Sequence, residues 1–277
     1  MKKTMIILVM LAIAISPMFA NGSSEAKPVE EYTFGGSSTV APVAEAAIEQ
    51  YQKENAGVKL SYETLGSSVG IKQLQEGTLS LAGSSRELKS SELAAGLIPH
   101  TIALDALSVA INSSVGIANL TIQQLSAIFS GEITNWKEVG GKDASIVLIV
   151  RDESSGTYGS FKEIVLDSQK KTPSKNAIVA RENGELAAKI ASTTNSIGYI
   201  GMAFNHLVTE KGGTILSIDG VNPSEANVKN GTYPIRRELY VVTKGDFVAG
   251  SVQKSFFDFL LSKKGQAIVS EVGFVSL

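Results

Sequence analysis

The sequence predicts an α/β fold with mostly parallel strands, and three observations carry that reading. From Tyr32 onward, short runs rich in β-branched and aromatic residues alternate with stretches of helical spacing. The turns between them are rich in glycine and serine, and "GGSSTVAP", "ETLGSSVGIKQL" and "LAGSSRELKSSEL" share a Gly-Ser-Ser. The composition is that of a globular chain: 277 residues, 43% hydrophobic and 19% charged, long enough for two compact lobes.

In chain order, residues 1–20 come first, with Lys2, Lys3, an apolar run from Met5 to Ile15 and then "SPMFA", the layout of a secretory signal peptide cleaved after Ala20. The alternative is a retained anchor, for which the run is short of the roughly 20 residues a spanning helix needs. Residues 21–31 are polar and read as a flexible leader. Strands are expected at "VKLSYETL", "SIVLIV" and "RELYVVT", and helices at "VAEAAIEQYQKEN", "IKQLQEG" and "SSELAAG". In the first helix Val43, Ala47 and Tyr51, with Ala44 and Ile48 beside them, form an apolar face opposite Glu45, Glu49 and Lys53. The last helix, "SVQKSFFDFLLSKKGQAIV", is expected to bury Phe256, Phe257, Leu260 and Leu261. Cysteine is absent, which rules out disulfides, thiolate metal sites and a lipid-modified N-terminal cysteine. Without Lys2 and Lys3 the basic residues fall from 25 to 23 against 27 acidic ones, a net charge of −4, so nucleic acid is not an expected partner.

Each Gly-Ser-Ser lies between a strand-like and a helix-like run, and so does "IVRDESSGTYGSFKEIV". A helix start leaves about four N–H groups unpaired and carries roughly half a positive charge, so it attracts anions. Serine and threonine supply neutral donors, although singly they are also the usual N-caps. Four such turns in one parallel α/β chain are a different matter, since strand C-termini share one edge of a sheet. Neither G-x-x-x-x-G-K-[ST] nor G-x-G-x-x-G is present, so nucleotide cradles are disfavoured. Arg151 ends the strand "SIVLIV" and is followed four residues later by Ser155-Gly156-Thr157. A guanidinium fork beside N–H and hydroxyl donors suits a tetrahedral oxyanion such as phosphate or sulfate.

Over most of residues 32–277 the chain resembles the periplasmic phosphate-binding proteins of bacterial ABC-type importers. The likeness rests on "GGSSTVAP", "YETLGSSVGIKQL", "AGSSREL", "ALSVAINSS", "LSAIFSGEITNW", "RDESSGTYGSF", "SIGYIG" and "YPIRRELYVVTK", in that order. It implies inorganic phosphate as ligand, held by the Ser38 hydroxyl, the Thr39 N–H, the Ser67 hydroxyl and Ser85, with Arg151, Ser155, Gly156 and Thr157 completing the cage. Glu153 takes the place of an acidic residue that steadies the arginine, and Ser85 stands where relatives often carry aspartate. It further implies a two-lobed type II binding protein, with each lobe a mixed, mostly parallel sheet flanked by helices and the cleft between lobes. Lobe one would join residues 29–110 with 236–277, and lobe two would span 111–235, with Trp136 packed inside it. A monomer working outside the cytoplasm with an ABC-type permease, no cofactor and no metal completes the expectation.

The competing class is a secreted serine hydrolase. Gly66-Ser67-Ser68-Val69-Gly70 matches G-x-S-x-G, which would make Ser68 the nucleophile and His206 its base. No HGGG-type motif precedes it, and the only other histidine is His100. Two distant histidines without cysteine form no recognisable metal cluster.

Overall fold

The computed structural model describes residues 30–277, so the expected signal peptide and nearly all of the leader lie outside the described residues. The strands are β1 (Glu30–Gly36), β2 (Val58–Thr64), β3 (Leu81–Ser84), β4 (Leu97–Ile111), β5 (Asn119–Leu120), β6 (Val147–Arg151), β7 (Ile178–Ala180), β8 (Ser196–Gly201), β9 (Thr214–Ile215), β10 (Ser217–Ile218) and β11 (Arg236–Lys244). The helices are α1 (Ala41–Glu54), α2 (Ser67–Glu76), α3 (Ser90–Ala94), α4 (Ile122–Ser130), α5 (Gly156–Phe161), α6 (Asn183–Ser192), α7 (Asn205–Thr209), α8 (Glu225–Lys229), α9 (Val252–Leu261) and α10 (Lys263–Val272). No helix among the described residues is long and apolar enough to cross a membrane.

One sheet runs in the order β2-β1-β3-β11-β4-β8-β6-β7, with β9 added beside β4. Parallel pairing joins β1 to β2 and β3 in one lobe, and β6 to β7 and β8 in the other. The antiparallel pairings of this sheet all involve β4 or β11. These two strands carry the chain between the lobes, so they must run against their neighbours. The 15-residue β4 pairs with β11 over Leu97–Ala106 and then with β8 over Leu107–Ile111. We place the outward crossing at that change of partner and the return between Ile235 and Arg236.

Each lobe packs helices on both faces. In lobe one, α1, α9 and α10 cover Phe34, Leu81, Ile102 and Leu239, while Ile71 and Leu74 of α2 cover Ala82, Tyr240 and Val242. In lobe two, Trp136, Phe129, Phe161 and Tyr199 share one core, and Leu186, Ala187 and Ile190 of α6 form the other. Trp136 is fully buried and its indole N–H donates to Asn195 O at 2.9 Å. The apolar face of α1 is buried as its spacing requires. The single C-terminal helix expected from the sequence is instead two. Ser262 leaves the helical region with ψ 164 and its hydroxyl accepts from Gly265 N at 3.2 Å, capping α10. The break turns Leu261 outward to 41% exposure and leaves Phe257 only partly buried against His100 and Phe247. The third Gly-Ser-Ser also differs from expectation, because it ends β3 without starting a helix; α3 begins five residues later, after Lys89.

The helix that presents Ser67 lies backbone to backbone on β1. A Cβ on Gly70 would fall 2.4 Å from Gly36 Cα and 2.9 Å from Gly35 O, so nothing larger than glycine fits between α2 and the sheet. Gly70→Ala is expected to destabilise the fold by about 1–3 kcal/mol, the cost of overpacking a rigid contact. Urea unfolding should show a lower midpoint at an unchanged slope.

Candidate functional site

The strands β1, β3 and β6 point their C-terminal ends at one interlobe cleft, and the turns after them carry the hydroxyls. Ser37, Ser38 and Thr39 follow β1, Ser67 opens α2, Ser85 follows β3, and Ser155, Gly156 and Thr157 follow Arg151 at the end of β6. All are buried: Ser38 is 9% exposed, and Ser37, Thr39, Ser67, Ser85, Arg151, Ser155 and Thr157 are 2% or less. Helix α1 is capped at Val40 and α2 at Gly66, neither with a side-chain cap. The Ser67 hydroxyl is therefore not consumed in capping its own helix. Ser155 is a genuine N-cap, accepting from Tyr158 N at 3.4 Å.

The two lobes meet directly through these groups. Thr39 Oγ1 and Thr157 Oγ1 are 3.0 Å apart, Arg151 Nη2 donates to Ser38 Oγ at 3.0 Å, and Ser160 Oγ donates to Ser85 O at 2.9 Å. Gly156 lies so close to lobe one that a Cβ there would fall 2.2 Å from Ser67 Oγ and 2.6 Å from Ser85 Oγ. Only a residue without a side chain allows the two turns to approach this closely.

The hydroxyls are polarised. Ser38 accepts from Arg151 Nη2, Thr39 from Asn183 Nδ2 at 3.2 Å, Ser67 from Ser85 N at 3.2 Å, and Thr157 from Arg237 Nη1 at 3.0 Å. Ser37 accepts from Thr39 N at 3.1 Å and passes its own hydrogen to Ser85 Oγ at 2.8 Å. An oxygen that already accepts from a nitrogen has its hydrogen left to give, so the ring acts mainly as a donor.

Arg151 is the charge at its centre. The residue is 2% exposed, and Nη2 also donates to Arg181 O, yet Nε and Nη1 are buried and meet no acceptor among the described residues. Burial lowers its pKa to about 10, with Asp152 and Glu182 pulling against that shift and Arg237 adding to it. The group remains protonated at neutral pH. An uncompensated buried cation with free N–H donors, ringed by donor hydroxyls, is suited to an oxyanion with two negative charges.

The sequence-predicted residues Ser38, Thr39, Ser67, Ser85, Arg151, Ser155, Gly156 and Thr157 come together here, with two differences of role. Glu153 is exposed and makes no hydrogen bond to Arg151; it sits where the turn after β6 faces solvent, and Arg181 O holds the guanidinium instead. The Thr39 N–H is engaged by Ser37 Oγ, so Thr39 faces the second lobe through its hydroxyl. Sequence reasoning missed Arg237, Asp105 and Asn183. Asp105 and Arg237 lie on the two strands that join the lobes, but nothing local in the sequence signalled that they pair. Ser68 lies apart from the ring and accepts from Arg86 Nη2 at 3.3 Å, while His206 contacts Ala203 O. The serine–histidine partnership a hydrolase needs is not formed.

A family model described as a PBP superfamily domain matches residues 21–264. The chain is 38% identical over 282 residues to the phosphate-binding protein PstS of Borreliella burgdorferi, covering 100% of this chain and 99% of that one. It is 34% identical to the protein of the same name from Bacillus subtilis, covering 99% and 95%. Among solved structures, a substrate-binding protein with bound phosphate from Clostridium perfringens matches with a TM-score of 0.82 at 33% identity, covering 90% of this chain and 100% of that one. An ABC-type phosphate transport receptor from Vibrio cholerae matches with a TM-score of 0.76 at 28% identity, covering 89% and 100%.

Arg151→Lys keeps the charge and discards the fork. It is expected to weaken oxyanion binding by at least about tenfold, because an ammonium cannot replace planar donors set toward Ser38, Arg181 and the ring at once. Calorimetric titration of parent and variant reads the difference, and binding within twofold would refute the role of the guanidinium.

Proposed function

We propose that this chain, which belongs to the PBP superfamily and within it to the phosphate-binding proteins, captures inorganic phosphate outside the cytoplasm and delivers it to an ABC-type phosphate permease. The observation that carries the reading is the buried Arg151 guanidinium with two nitrogens unpartnered inside a ring of donor hydroxyls. Ser38, Thr39, Ser67, Ser85, Arg151, Ser155, Gly156 and Thr157 form the cage in this proposal. A dianion there offsets the desolvation of Arg151 and accepts from the ring. Because lobe one and lobe two each supply part of the cage, one ligand closes the cleft by motion about the crossing strands. Both halves come from a single chain, so the working unit is a monomer. It is a binding protein rather than an enzyme, and it uses no cofactor.

One observation bears on selectivity. Ser85 and its neighbours Ser37 and Ser67 line this side of the cage with hydroxyls alone, without a carboxylate to accept a proton from HPO₄²⁻ or to repel fully ionised sulfate. Sulfate is therefore the competitor to test.

Calorimetry with phosphate, sulfate and a phosphate monoester tests the reading: phosphate should bind, and a parent that takes up none of the three overturns it. Ser67→Ala is expected to weaken phosphate binding by about 1–3 kcal/mol, the value of a hydrogen bond to a charged group, and Ser68→Ala by much less. Ester hydrolysis lost in Ser68→Ala would restore the hydrolase. For selectivity, labelled phosphate is displaced with a thousandfold excess of sulfate, an excess set by the several kcal/mol that an unpaired buried acceptor costs the wrong anion. Ser85→Asp should make phosphate harder to displace than in the parent. Complete exclusion of sulfate by the parent would place selectivity elsewhere.

A further inference from the structure

Arg237 is the second residue of β11, by which the chain returns to lobe one, and faces Asp105, its register partner on β4. Their side chains are 3% and 0% exposed. Nε and Nη2 of Arg237 donate to Asp105 Oδ2 at 2.8 and 2.7 Å, while Asp105 Oδ1 accepts from Met202 N at 2.9 Å. The pair fixes a guanidinium on the two strands that join the lobes. Asp105 also neutralises it, so Arg237 adds no net charge to the cage.

The remaining nitrogen, Nη1, has two hydrogens, and they go to different lobes. One is given to Ser85 O at 3.0 Å, just past the end of β3 in lobe one. The other is given to Thr157 Oγ1 at 3.0 Å, in the first turn of α5 in lobe two. Both acceptors belong to turns that form the proposed cage, and Ser160 Oγ of lobe two reaches the same Ser85 carbonyl. Both hydrogens of Nη1 are satisfied only while the turns stand this close together. Opening the cleft would carry one acceptor away and pass that hydrogen to water, losing a charge-assisted bond made in a site shielded from solvent.

We infer that Arg237 is a positioning residue that couples anion capture to closure: clamped to the crossing strands by Asp105, it bridges Ser85 O and Thr157 Oγ1 and so favours the closed arrangement of the cage. This rests on the oxyanion-binding reading, and it assigns the regulation of that site to a residue outside the ligand's own shell. The hydroxyl of Thr157 is held as acceptor to Arg237, which leaves its hydrogen for Thr39 or the ligand. Arg237 thereby also sets the polarity of that part of the ring.

The test is Arg237→Lys, which keeps a cation for Asp105 but cannot hold the carboxylate and both turns together. Calorimetry with inorganic phosphate should show affinity reduced by about tenfold or more, with stopped-flow measurements assigning the loss mainly to faster release. Small-angle scattering in saturating phosphate should give a larger radius of gyration than for the parent. Affinity within twofold and an unchanged radius overturn the inference. If Arg237→Lys does not fold, the neutral double variant D105N/R237Q replaces it and is judged by the same measurements. If the parent itself takes up no phosphate, the functional reading fails on its own, and scattering in anion-free buffer still decides this one. A more open variant than parent supports it, and identical radii overturn it.

Discussion

A guanidinium removed from water and given no carboxylate is the constraint around which this molecule is arranged. Arg151 ends a central strand of lobe two, so the sheet fixes its backbone. Its side chain reaches Ser38 of the opposite lobe, so closure fixes its head. Burying a charge in this way is unfavourable unless something compensates it, and the protein supplies one carbonyl and one hydroxyl while two nitrogens go without. The surrounding turns make sense against that deficit. Their glycines let the backbones approach, and their hydroxyls are held as acceptors to nitrogen donors so that their hydrogens remain available. The fold creates a local demand for negative charge and encloses it on both sides.

Arg237 presents the contrasting solution to the same problem. It is also buried, but Asp105 meets it with two hydrogen bonds to one oxygen. A buried pair of this kind adds little net stability, although removing one partner typically costs about 3–5 kcal/mol. What it provides is a fixed orientation. Of the buried guanidinium groups at this cleft, Arg237 is satisfied internally and Arg151 is left for an external anion, and the difference between them separates architecture from recognition.

Much of this was legible in the sequence because it is local. A glycine and hydroxyls at a strand end, and an arginine four residues before Ser-Gly-Thr, are readable from neighbouring residues, and the structure gathers all of them into one cleft. The apolar face of α1 was readable for the same reason. What was missed depends on distance or on competition between local signals. Asp105 and Arg237 are 132 positions apart, and their pairing follows from a strand register that no short stretch encodes. Glu153 stands two residues from Arg151 in sequence, but the turn faces it away. In the C-terminal segment the apolar spacing favoured one helix, while Ser262 and Gly265 carried a capping signal that prevailed. The apolar spacing marked which residues are helical and not where the helix breaks, so Leu261 was placed in a core it does not reach.

The position of β11 between β3 and β4 has a consequence for how the chain can be made. Residues 107–235 form the sheet of lobe two in one uninterrupted stretch, whereas the sheet of lobe one lacks a central strand until residues 236–244 have been synthesised. Lobe two can therefore fold as soon as it emerges, and lobe one must wait, its β3 edge and the inner edge of β4 unpaired. A chain so ordered stays incomplete until nearly its last tenth is added. Delay of that kind concentrates the risk of misassociation at two waiting strand edges.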